Sequence, residues 1–266
     1  ARQMGLDVVI GSELPQVLEA KTSGKTLTLN FRSTEQATRD IVKFSDRFPF
    51  DAIIPVDDDT SIVGALASKA LGLPHNSVES VLAARDKYRF RQVLKKAGIP
   101  SPRFELFSIT ENPLKIANEI TYPCVLKPTF LSASRGVIRA NNPADFVEAF
   151  IRVKEILKGE DISPRGYDPA TQILVEDFLP GTEVALEGIL TQGRLRVLAL
   201  FDKPDPLDGP YFEETIYVTP SRLPKSTRDL IFDCANRTFS ALGLRYGPVH
   251  TEFRINDDGI WPIEAA

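Results

Sequence analysis

A lysine stands at the end of an apolar run in the stretch Tyr122-Pro123-Cys124-Val125-Leu126-Lys127-Pro128. The loop that follows, Ser132-Ala133-Ser134-Arg135-Gly136, is small and hydroxylated and ends in a flexible glycine. Lysine is rarely buried without a partner, and the backbone N–H groups of such a loop can bind phosphate oxygens beside a point charge. The alternative is a lysine that merely extends from a strand end into solvent. The predicted phosphate site comprises Lys127, Ser132, Ser134, Arg135 and Gly136.

A second candidate site lies in Ile173–Glu183, where a predicted strand ends in the carboxylate of Glu176. Glu176 could accept a hydrogen bond from an exocyclic amine, and the backbone around Phe178 and Leu179 could imitate a base-pairing edge. The second carboxylate, Glu183, could accept hydrogen bonds from a ribose. A solvated turn is the alternative, and this segment by itself leaves both interpretations open.

A third candidate site involves two carboxylates near the end of the sequence. His250 and Glu252 alternate on a predicted strand and therefore share a face. Glu264 follows the turn Asn256-Asp257-Asp258-Gly259, so antiparallel pairing would set it beside Glu252. Facing carboxylates repel unless a cation lies between them, and Mg²⁺ that also binds nucleotide phosphates is the natural occupant. The alternative is one exposed carboxylate on each strand.

A long, charged, proline-rich insert, Phe201–Glu214, interrupts the strand pattern. Loops of this length inside a compact domain are usually functional or disordered. We hypothesise that the insert forms a wall of a substrate pocket and that Lys203 or Glu213 contacts the substrate.

Composition indicates an ordinary globular chain. The 266 residues are 42% hydrophobic and 26% charged, which excludes general disorder. The net charge of −4 argues against nucleic acid as a partner. Two cysteines and two histidines exclude a disulfide framework and a multi-histidine metal centre. The sequence contains neither a transmembrane-length apolar run nor a signal-peptide pattern, so we expect a soluble, cytoplasmic protein with no membrane partner.

Residues 1–80 alternate short apolar runs with helical periods, which indicates a parallel sheet. The predicted strands are Asp7–Ile10, Thr26–Phe31 and Ala52–Val56, and the predicted helices are Thr34–Phe48 and Ser61–Leu71. The acidic run Asp57-Asp58-Asp59 follows a strand at the sheet edge where ligands bind, and helix capping is the alternative role for each residue. Since Ala1–Gly5 resembles the end of a helix, we expect a strand before residue 1.

From residue 81 the pattern predicts two strand-rich lobes that meet near residue 175 and enclose a cleft. The predicted helices are Arg85–Gly98, Pro113–Ile120, Pro143–Leu157 and Thr227–Leu242. The predicted strands are Phe104–Ser108, Cys124–Pro128, Gly136–Ala140, Gln172–Glu176, Glu183–Leu190, Leu195–Phe201, Glu214–Thr219, Pro248–Ile255 and Ile260–Glu264. Polar Lys158–Ala170 predicts a surface loop. Because the last strand has no closing element, we expect a helical segment after residue 266.

A series of short motifs follows one another along nearly the whole chain. The motifs are Leu71-Gly72-Leu73-Pro74, Ala84-Arg85-Asp86-Lys87, Ala97-Gly98-Ile99-Pro100, Val125-Leu126-Lys127-Pro128, Ser134-Arg135-Gly136-Val137, Val175-Glu176 with Gly181-Thr182-Glu183, and His250-Thr251-Glu252-Phe253 with Ile263-Glu264-Ala265-Ala266. Each motif is unspecific alone, whereas their order and spacing are specific. In this order the chain resembles the ATP-grasp superfamily of carboxylate–amine ligases. It looks most like the L-amino-acid-ligase-like group, with carnosine-synthase-like and formyl-phosphoribosylglycinamide-forming relatives further off.

The resemblance implies an α/β architecture, the α+β ATP-grasp fold. A Rossmann-like pre-ATP-grasp domain with a parallel sheet would cover residues 1–80. Two α+β lobes would follow and enclose an ATP cleft, a small lobe over residues 81–175 and a large lobe over residues 176–266.

The resemblance also implies roles for single residues. Lys87 and Lys127 would be paired ATP lysines, and residues 132–136 would form a mobile loop over the triphosphate. The adenine amine would meet Glu176, with backbone contacts near Phe178 and Leu179, and the ribose would meet Glu183. The magnesium ligands would be Glu252 and Glu264.

The predicted catalytic residues are His250, which the resemblance implies, and Lys203, which follows from the hypothesis about the insert. His250 falls where related ligases have a cationic residue near an acyl phosphate. Many family members have Asn two residues after the second metal carboxylate, and this chain has Ala266 there. The segment that usually follows, with an arginine for the substrate carboxylate, is absent from the sequence.

The implied activity is ATP-dependent ligation. A carboxylate, that of an amino acid, becomes an acyl phosphate that an amine attacks, with release of ADP and phosphate. The implied partners are ATP, Mg²⁺ (with Mn²⁺ as an alternative) and small-molecule carboxylate and amine substrates, and a homodimer is compatible with this. The alternatives are a purine-pathway-like ligase that acts on a phosphorylated ribonucleotide, a nucleotide-binding module without turnover, and an α/β protein with no nucleotide site.

Overall fold

The computed structural model describes residues 2–14, 25–159, 162 and 171–266. Contacts divide this part of the chain into two compact units, one up to His75 and the other from Asn76 onward. The domain boundary predicted at residue 80 stays a prediction. No helix among the described residues is both long enough and apolar enough to cross a bilayer.

The first unit contains the parallel strand pair that the sequence predicts. A short 3-10 helix, Arg2–Met4, precedes strands β1 (Val9–Ser12) and β2 (Lys25–Thr28), and Ile10 pairs with Thr26 in parallel register. Helices α1 (Thr34–Ser45) and α2 (Asp58–Ala70) follow. The small core of this unit consists of Leu29, Phe31, Ala37, Ile41, Val63 and Ala67.

The predicted strand Ala52–Val56 is wrong, because the structure has no strand in this described segment. Pro55 has no N–H for a strand ladder, and its ring lies against Gly64 of α2. The side chains of Ile54 and Val56 are 65% and 89% exposed, and Ile53, between Ala52 and Ile54, packs only at the margin of the core. Asp57 caps α2 instead, since its carboxylate accepts the N–H of Thr60 at 2.8 Å.

The second unit contains a four-stranded sheet, called sheet I, whose neighbouring strands are all antiparallel. Its order is β3 (Phe104–Ser108), β6 (Gln172–Asp177), β4 (Cys124–Pro128) and β5 (Ile138–Ala140). Helices α5 (Pro113–Ile116) and α6 (Pro143–Leu157) accompany it. The bounds of β3, β4 and α6 confirm the predictions. The surface loop predicted for Lys158–Ala170 lies largely outside the described residues.

Sheet II, the other four-stranded sheet, is also antiparallel throughout. Its order is β10 (Gly259–Ala265), β9 (Gly247–Asn256), β7 (Thr182–Thr191) and β8 (Arg194–Lys203). Helices α3 (Val78–Arg85), α4 (Lys87–Lys96) and α7 (Lys225–Leu242) share its core. That core contains Phe90, Leu94, Leu186, Ile231, Phe239 and Phe253.

The predicted helix Arg85–Gly98 corresponds to α4, which is shorter by about two residues at each end, and the preceding helix α3 was not predicted. Asp86 separates the two helices, because it has an extended backbone and caps α4 by accepting the N–H of Arg89 at 2.9 Å. One prediction in this unit is wrong. The strand Glu214–Thr219 is only an isolated bridge between Asp202 and Val218. Val218 exchanges both backbone hydrogen bonds with Asp202, whereas Glu214 is held by side-chain bonds to Lys203 and Tyr217. The remaining elements differ from their predicted bounds by a few residues.

The Asp86 cap generates a stability prediction. Asp86→Ala removes the acceptor for the N–H of Arg89 at the start of α4 and should lower the free energy of unfolding by about 1 kcal/mol in urea denaturation. Lys96→Ala, at the exposed end of the same helix, is the matched control and should change it by less than about 0.5 kcal/mol. Equal effects of the two substitutions would contradict the role of the cap.

Candidate active site

One buried carboxylate, Glu176, lies between two cations that come from different elements. Arg91 of α4 donates from Nε to Oε2 at 2.8 Å and from Nη2 to Oε1 at 3.2 Å. The Lys127 ammonium of β4 pairs with the same Oε1. All three side chains are at most 6% exposed. The strand ends of β4 and β6 position Lys127 and Glu176, as the sequence predicts.

Electrostatics keep Glu176 ionised. Burial alone would raise the pKa of its carboxyl group, but the charges of Arg91 and Lys127 outweigh burial and bring the pKa to about 2. Burial also lowers the pKa of Lys127, and Glu176 opposes that effect. Two cations therefore share one carboxylate, which leaves a local excess of positive charge that an anion can neutralise.

Arg91 is the residue of this cluster that the sequence analysis missed. Its side chain is fully buried, and it also donates from Nη1 to the Pro262 carbonyl of β10 at 2.9 Å. It thereby links sheet I, through Glu176, to sheet II. The sequence does indicate that Arg91 lies near Lys87, because the two residues are four apart and share the helix face that buries Phe90.

Lys87 brings a second ammonium to the same region. Its Nζ donates to the Leu131 carbonyl at 2.7 Å and lies 3.0 Å from Oε2 of Glu264. Its charge is close enough to lower the pKa of Lys127. The structure therefore brings together the two lysines that lie forty residues apart in the sequence.

The loop after β4 adopts a tightly turned conformation. Ala133 and Ser134 have positive φ angles of 54° and 53°, and Gly136 has a φ of 77°. The N–H of Val137 donates to the Ser134 carbonyl at 3.1 Å and that of Arg135 to the Ser132 carbonyl at 3.3 Å. Ser132 and Arg135 are exposed, so the loop presents polar groups at the surface next to Lys87, which holds its first part.

The linker between β6 and β7 carries the other predicted contacts. The N–H of Phe178 donates to the Pro123 carbonyl at 3.1 Å. Among the described residues, no group accepts a hydrogen bond from the N–H of Leu179. Leu179 therefore offers a backbone donor beside Glu176, as a base-pairing edge requires.

A second cluster has the opposite charge balance, with one ammonium among three carboxylates. Lys203, at the end of β8, donates to Glu183 at 2.7 Å, to Glu252 at 2.6 Å and to Glu214 at 2.5 Å. Burial would lower the pKa of Lys203, but Glu252 and Glu183 raise it well above its usual value. In the described parts of the chain, Glu183, Glu214 and Glu252 form the one group of three His, Cys, Asp or Glu side chains whose metal-binding atoms lie close together.

The insert contributes Glu214 to this cluster, whereas the sequence analysis named Glu213. Glu213 is exposed. Successive side chains of an extended segment point to opposite sides, so the sequence pattern could not decide which of the two glutamates turns inward.

Arg254 and Glu187 are further partners that the sequence analysis missed. Arg254 of β9, which is 3% exposed, donates from Nε to Oε2 of Glu183 at 2.8 Å. Glu187 of β7 lies across from His250 in register and binds its Nδ1 at 2.8 Å. Period-two alternation along β7 places Glu183 and Glu187 on one face, a signal that sequence reasoning could have used.

His250 is held between two carboxylates. Its Nε2 lies 3.3 Å from Oε1 of Glu252, and its Nδ1 binds Glu187. Burial would lower the pKa of His250, but hydrogen bonds to Glu252 and Glu187 raise it to about 9. The ring is therefore an imidazolium at neutral pH and donates from both nitrogens.

Glu252 and Glu264 face each other across the β9–β10 hairpin, as the sequence predicts. Glu252 is neutralised by Lys203 and His250, and Glu264 by Lys87. Two neighbouring carboxylates supply the oxygen ligands that Mg²⁺ prefers, so the residues fit such an ion.

Comparison with known proteins adds family relations to this geometry. Residues 120–266 match the family model described as the ATP-grasp domain, and residues 1–75 match that of the ATP-grasp N-terminal domain.

The individual relatives include proteins that are named as ligases. The chain is 30% identical over 233 residues to alanine–anticapsin ligase of Bacillus subtilis strain 168, covering 83% of this chain and 48% of that protein. It is 27% identical over 217 residues to D-alanine–D-alanine ligase B of Chromobacterium violaceum, covering 79% of this chain and 66% of that protein. The crystal structure of L-amino acid ligase from Bacillus licheniformis superposes with a TM-score of 0.82 at 27% identity, over 99% of this chain and 61% of that one. The chain spans about half the length of the first of these curated relatives.

The charge balance around Glu176 generates a pH prediction. Its folded pKa of about 2 lies below the ordinary value of 4.5, so the ionised carboxylate stabilises the fold fully above pH 4.5. That stabilisation, on the order of 3 kcal/mol, is lost as pH falls from 4.5 through 2. The Glu176→Gln variant leaves Arg91 and Lys127 uncompensated, and its deficit in unfolding free energy should be largest near pH 7 and shrink below pH 4.5. Urea titrations across this range measure the deficit, and a constant deficit from pH 7 to pH 3 would contradict the assignment.

Proposed function

The chain belongs to the ATP-grasp family, and on that basis we propose that it is part of an ATP-dependent ligase that joins a carboxylate, that of an amino acid, to an amine. The reaction passes through an acyl phosphate and releases ADP and phosphate. The observation that carries the proposal is the convergence of Arg91 and Lys127 on the buried Glu176, with the charge of Lys87 close enough to lower the pKa of Lys127 and with a cluster of carboxylates nearby. The similarity to ligases of amino acids supports the substrate class.

In this proposal the positive cluster binds the phosphates of ATP. Lys87 and Lys127 act as point charges, and the loop Ser132–Gly136 closes over the triphosphate with its backbone N–H groups and hydroxyls. The left-handed backbone at Ala133 and Ser134 supports this role, since successive N–H groups in such turns form an anion-binding concavity. Arg135 and Gly136 complete the loop.

The linker after β6 binds the nucleoside. Glu176 already receives three hydrogen bonds from Arg91 and Lys127, and a carboxylate has about four acceptor sites, so one remains for the adenine amine. The backbone of Phe178 and Leu179 would meet the ring edge. Glu183 would accept from the ribose hydroxyls.

Glu252 and Glu264 would hold Mg²⁺, with Mn²⁺ as an alternative ion. When bound, such an ion supplies positive charge that offsets the negative charge on phosphoryl oxygens. Lys203, His250 and Lys87 neutralise the two carboxylates in the free chain, which explains how they stay close without an ion.

The chain's own residues mainly position reactants and balance charge. A free carboxylate is a poor acyl donor because oxide would have to leave, whereas phosphate leaves readily from an acyl phosphate. His250 is an imidazolium and Lys203 an ammonium, so each can stabilise negative charge on the acyl phosphate and on the tetrahedral adduct that the amine forms. Loop closure over the site excludes water that would hydrolyse the intermediate. No nucleophilic side chain is required.

The insert contributes to the substrate side of the site. Glu214 from the insert binds Lys203, so the insert reaches the proposed catalytic ammonium. Glu213 is exposed next to it and is proposed as a contact of the amine or of the carboxylate substrate. A homodimer remains a prediction.

Phosphate release tests the proposal. The full-length protein should release phosphate from Mg-ATP only with particular single or paired L-amino acids, and Glu264→Ala should lower that rate at least about 100-fold. Glu148→Ala, an exposed change on α6, is the matched control and should leave the rate unchanged. ATP binding without release for any amino acid would favour the module without turnover. Release that needs a phosphorylated ribonucleotide would favour the purine-pathway-like alternative.

A further inference from the structure

Part of the insert crosses from one sheet to the other. The segment Leu207–Phe212, called the strap, follows β8 of sheet II and reaches β5 at the edge of sheet I. There Ile138 and Tyr211 form an isolated antiparallel bridge, and the N–H of Arg139 donates to the Pro210 carbonyl at 2.9 Å. The strap therefore adds a short pairing to the free edge of sheet I.

Two arginines, one from each sheet, hold neighbouring carbonyls of the strap. Arg254 of sheet II donates from Nη2 to the Leu207 carbonyl at 2.6 Å. Arg139 of sheet I donates from Nη1 to the Asp208 carbonyl at 2.7 Å. Carbonyls that accept from charged donors form the stronger class of hydrogen bonds. The strap is thus fixed from both sides by side chains rather than by a continuous ladder.

The same two guanidinium groups also flank one aromatic ring, that of Phe178. The Cζ atom of Arg139 lies 4.0 Å from the ring centroid, and that of Arg254 lies 6.0 Å from it. Phe212, at the end of the strap, places its ring centroid 6.4 Å from that of Phe178. Because Phe178 lies in the linker between β6 and β7, the strap and the linker are coupled through these contacts.

The strap backbone fits closely against Arg139. Gly209 has a φ of 89°, and a Cβ atom there would lie 2.9 Å from Cβ of Arg139. Leu207 also has a positive φ, 48°, although it is not glycine, and its side chain is 7% exposed. A left-handed conformation at such a residue persists only where surrounding contacts hold it. The contacts around the strap therefore hold its backbone in one defined conformation.

We propose that Arg139 and Arg254 are positioning residues for the nucleotide site. Their contacts with the carbonyls of Leu207 and Asp208 and with the ring of Phe178, called the latch, hold the strap against Phe178. The latch thereby fixes the linker whose backbone at Leu179 meets the adenine edge. This inference rests on the proposed function. The latch joins sheet I, the strap and sheet II at the side of the linker. Loss of the latch frees Phe178 and weakens nucleotide binding.

The latch can be opened from either side of the Arg139 contact. Arg139→Gln removes the donor to Asp208 and the cation over Phe178, and Gly209→Ala forces the strap away from Arg139. Each variant of the full-length protein should raise the Kd for Mg-ATP about tenfold and the KM for ATP to the same extent, with kcat changed less than threefold. Arg152→Gln, an exposed change on α6, is the matched control and should leave all three constants unchanged.

A double variant and hydrogen exchange separate a latch from two unrelated defects. Since both substitutions break one contact, the Kd of Arg139→Gln/Gly209→Ala should equal that of the weaker-binding single variant rather than the product of both effects. The backbone N–H of residue 139, which donates to Pro210, should exchange at least tenfold faster in both single variants. The thermal unfolding midpoint reports whether each variant folds.

Opposite results would overturn the inference. An unchanged Kd for Mg-ATP in folded Arg139→Gln and Gly209→Ala, or effects on Kd that multiply in the double variant, would show that no latch positions the linker. If the unsubstituted protein does not bind Mg-ATP while exchange at residue 139 responds as expected, the proposed function fails and the strap contact stands. Both failures are therefore distinguishable.

Discussion

The buried carboxylate of Glu176 is the group on which the arrangement of the site depends. An ionised carboxylate away from water is costly unless cations and hydrogen bonds replace its hydration. Arg91 and Lys127 provide both, and they come from a helix on sheet II and a strand of sheet I. Because Arg91 also holds Pro262 of β10, the same contact that neutralises Glu176 links both sheets.

Charge balance divides the rest of the site into two halves of opposite character. Around Glu176 two cations share one carboxylate, whereas around Lys203 three cations face four carboxylates: Lys203, Arg254 and His250 against Glu183, Glu187, Glu214 and Glu252. The first half suits phosphate anions, and the second suits cations. Both halves are held by residues that pair with one another in the free chain, so the fold does not need a ligand to keep like charges close.

Local signals explain where sequence reasoning about the fold succeeded and failed. The cap Asn142 and the first-turn proline Pro143 mark the start of helix Pro143–Leu157, and strand Cys124–Pro128 is apolar apart from Lys127, so both bounds were predicted correctly. The runs Ala52–Val56 and Glu214–Thr219 are equally apolar or alternating, but a strand also needs a partner. Pairing is decided by the rest of the fold, and neither run finds a ladder among the described residues.

The sequence alone determined the family resemblance, the order of the motifs and the chemical types at the strand ends. It also predicted Glu252 beside Glu264, but the register set by the hairpin turn alone would pair Glu252 with Ile263, and an irregularity between Pro262 and Glu264 brings Glu264 opposite Glu252. Only the tertiary structure decided that Arg91 reaches Glu176 across 85 residues, that Glu214 and not Glu213 meets Lys203, and that Arg139 and Arg254 converge on Phe178. Such long-range pairs depend on how sheets I and II and the strap pack, and no periodicity within one element records that packing.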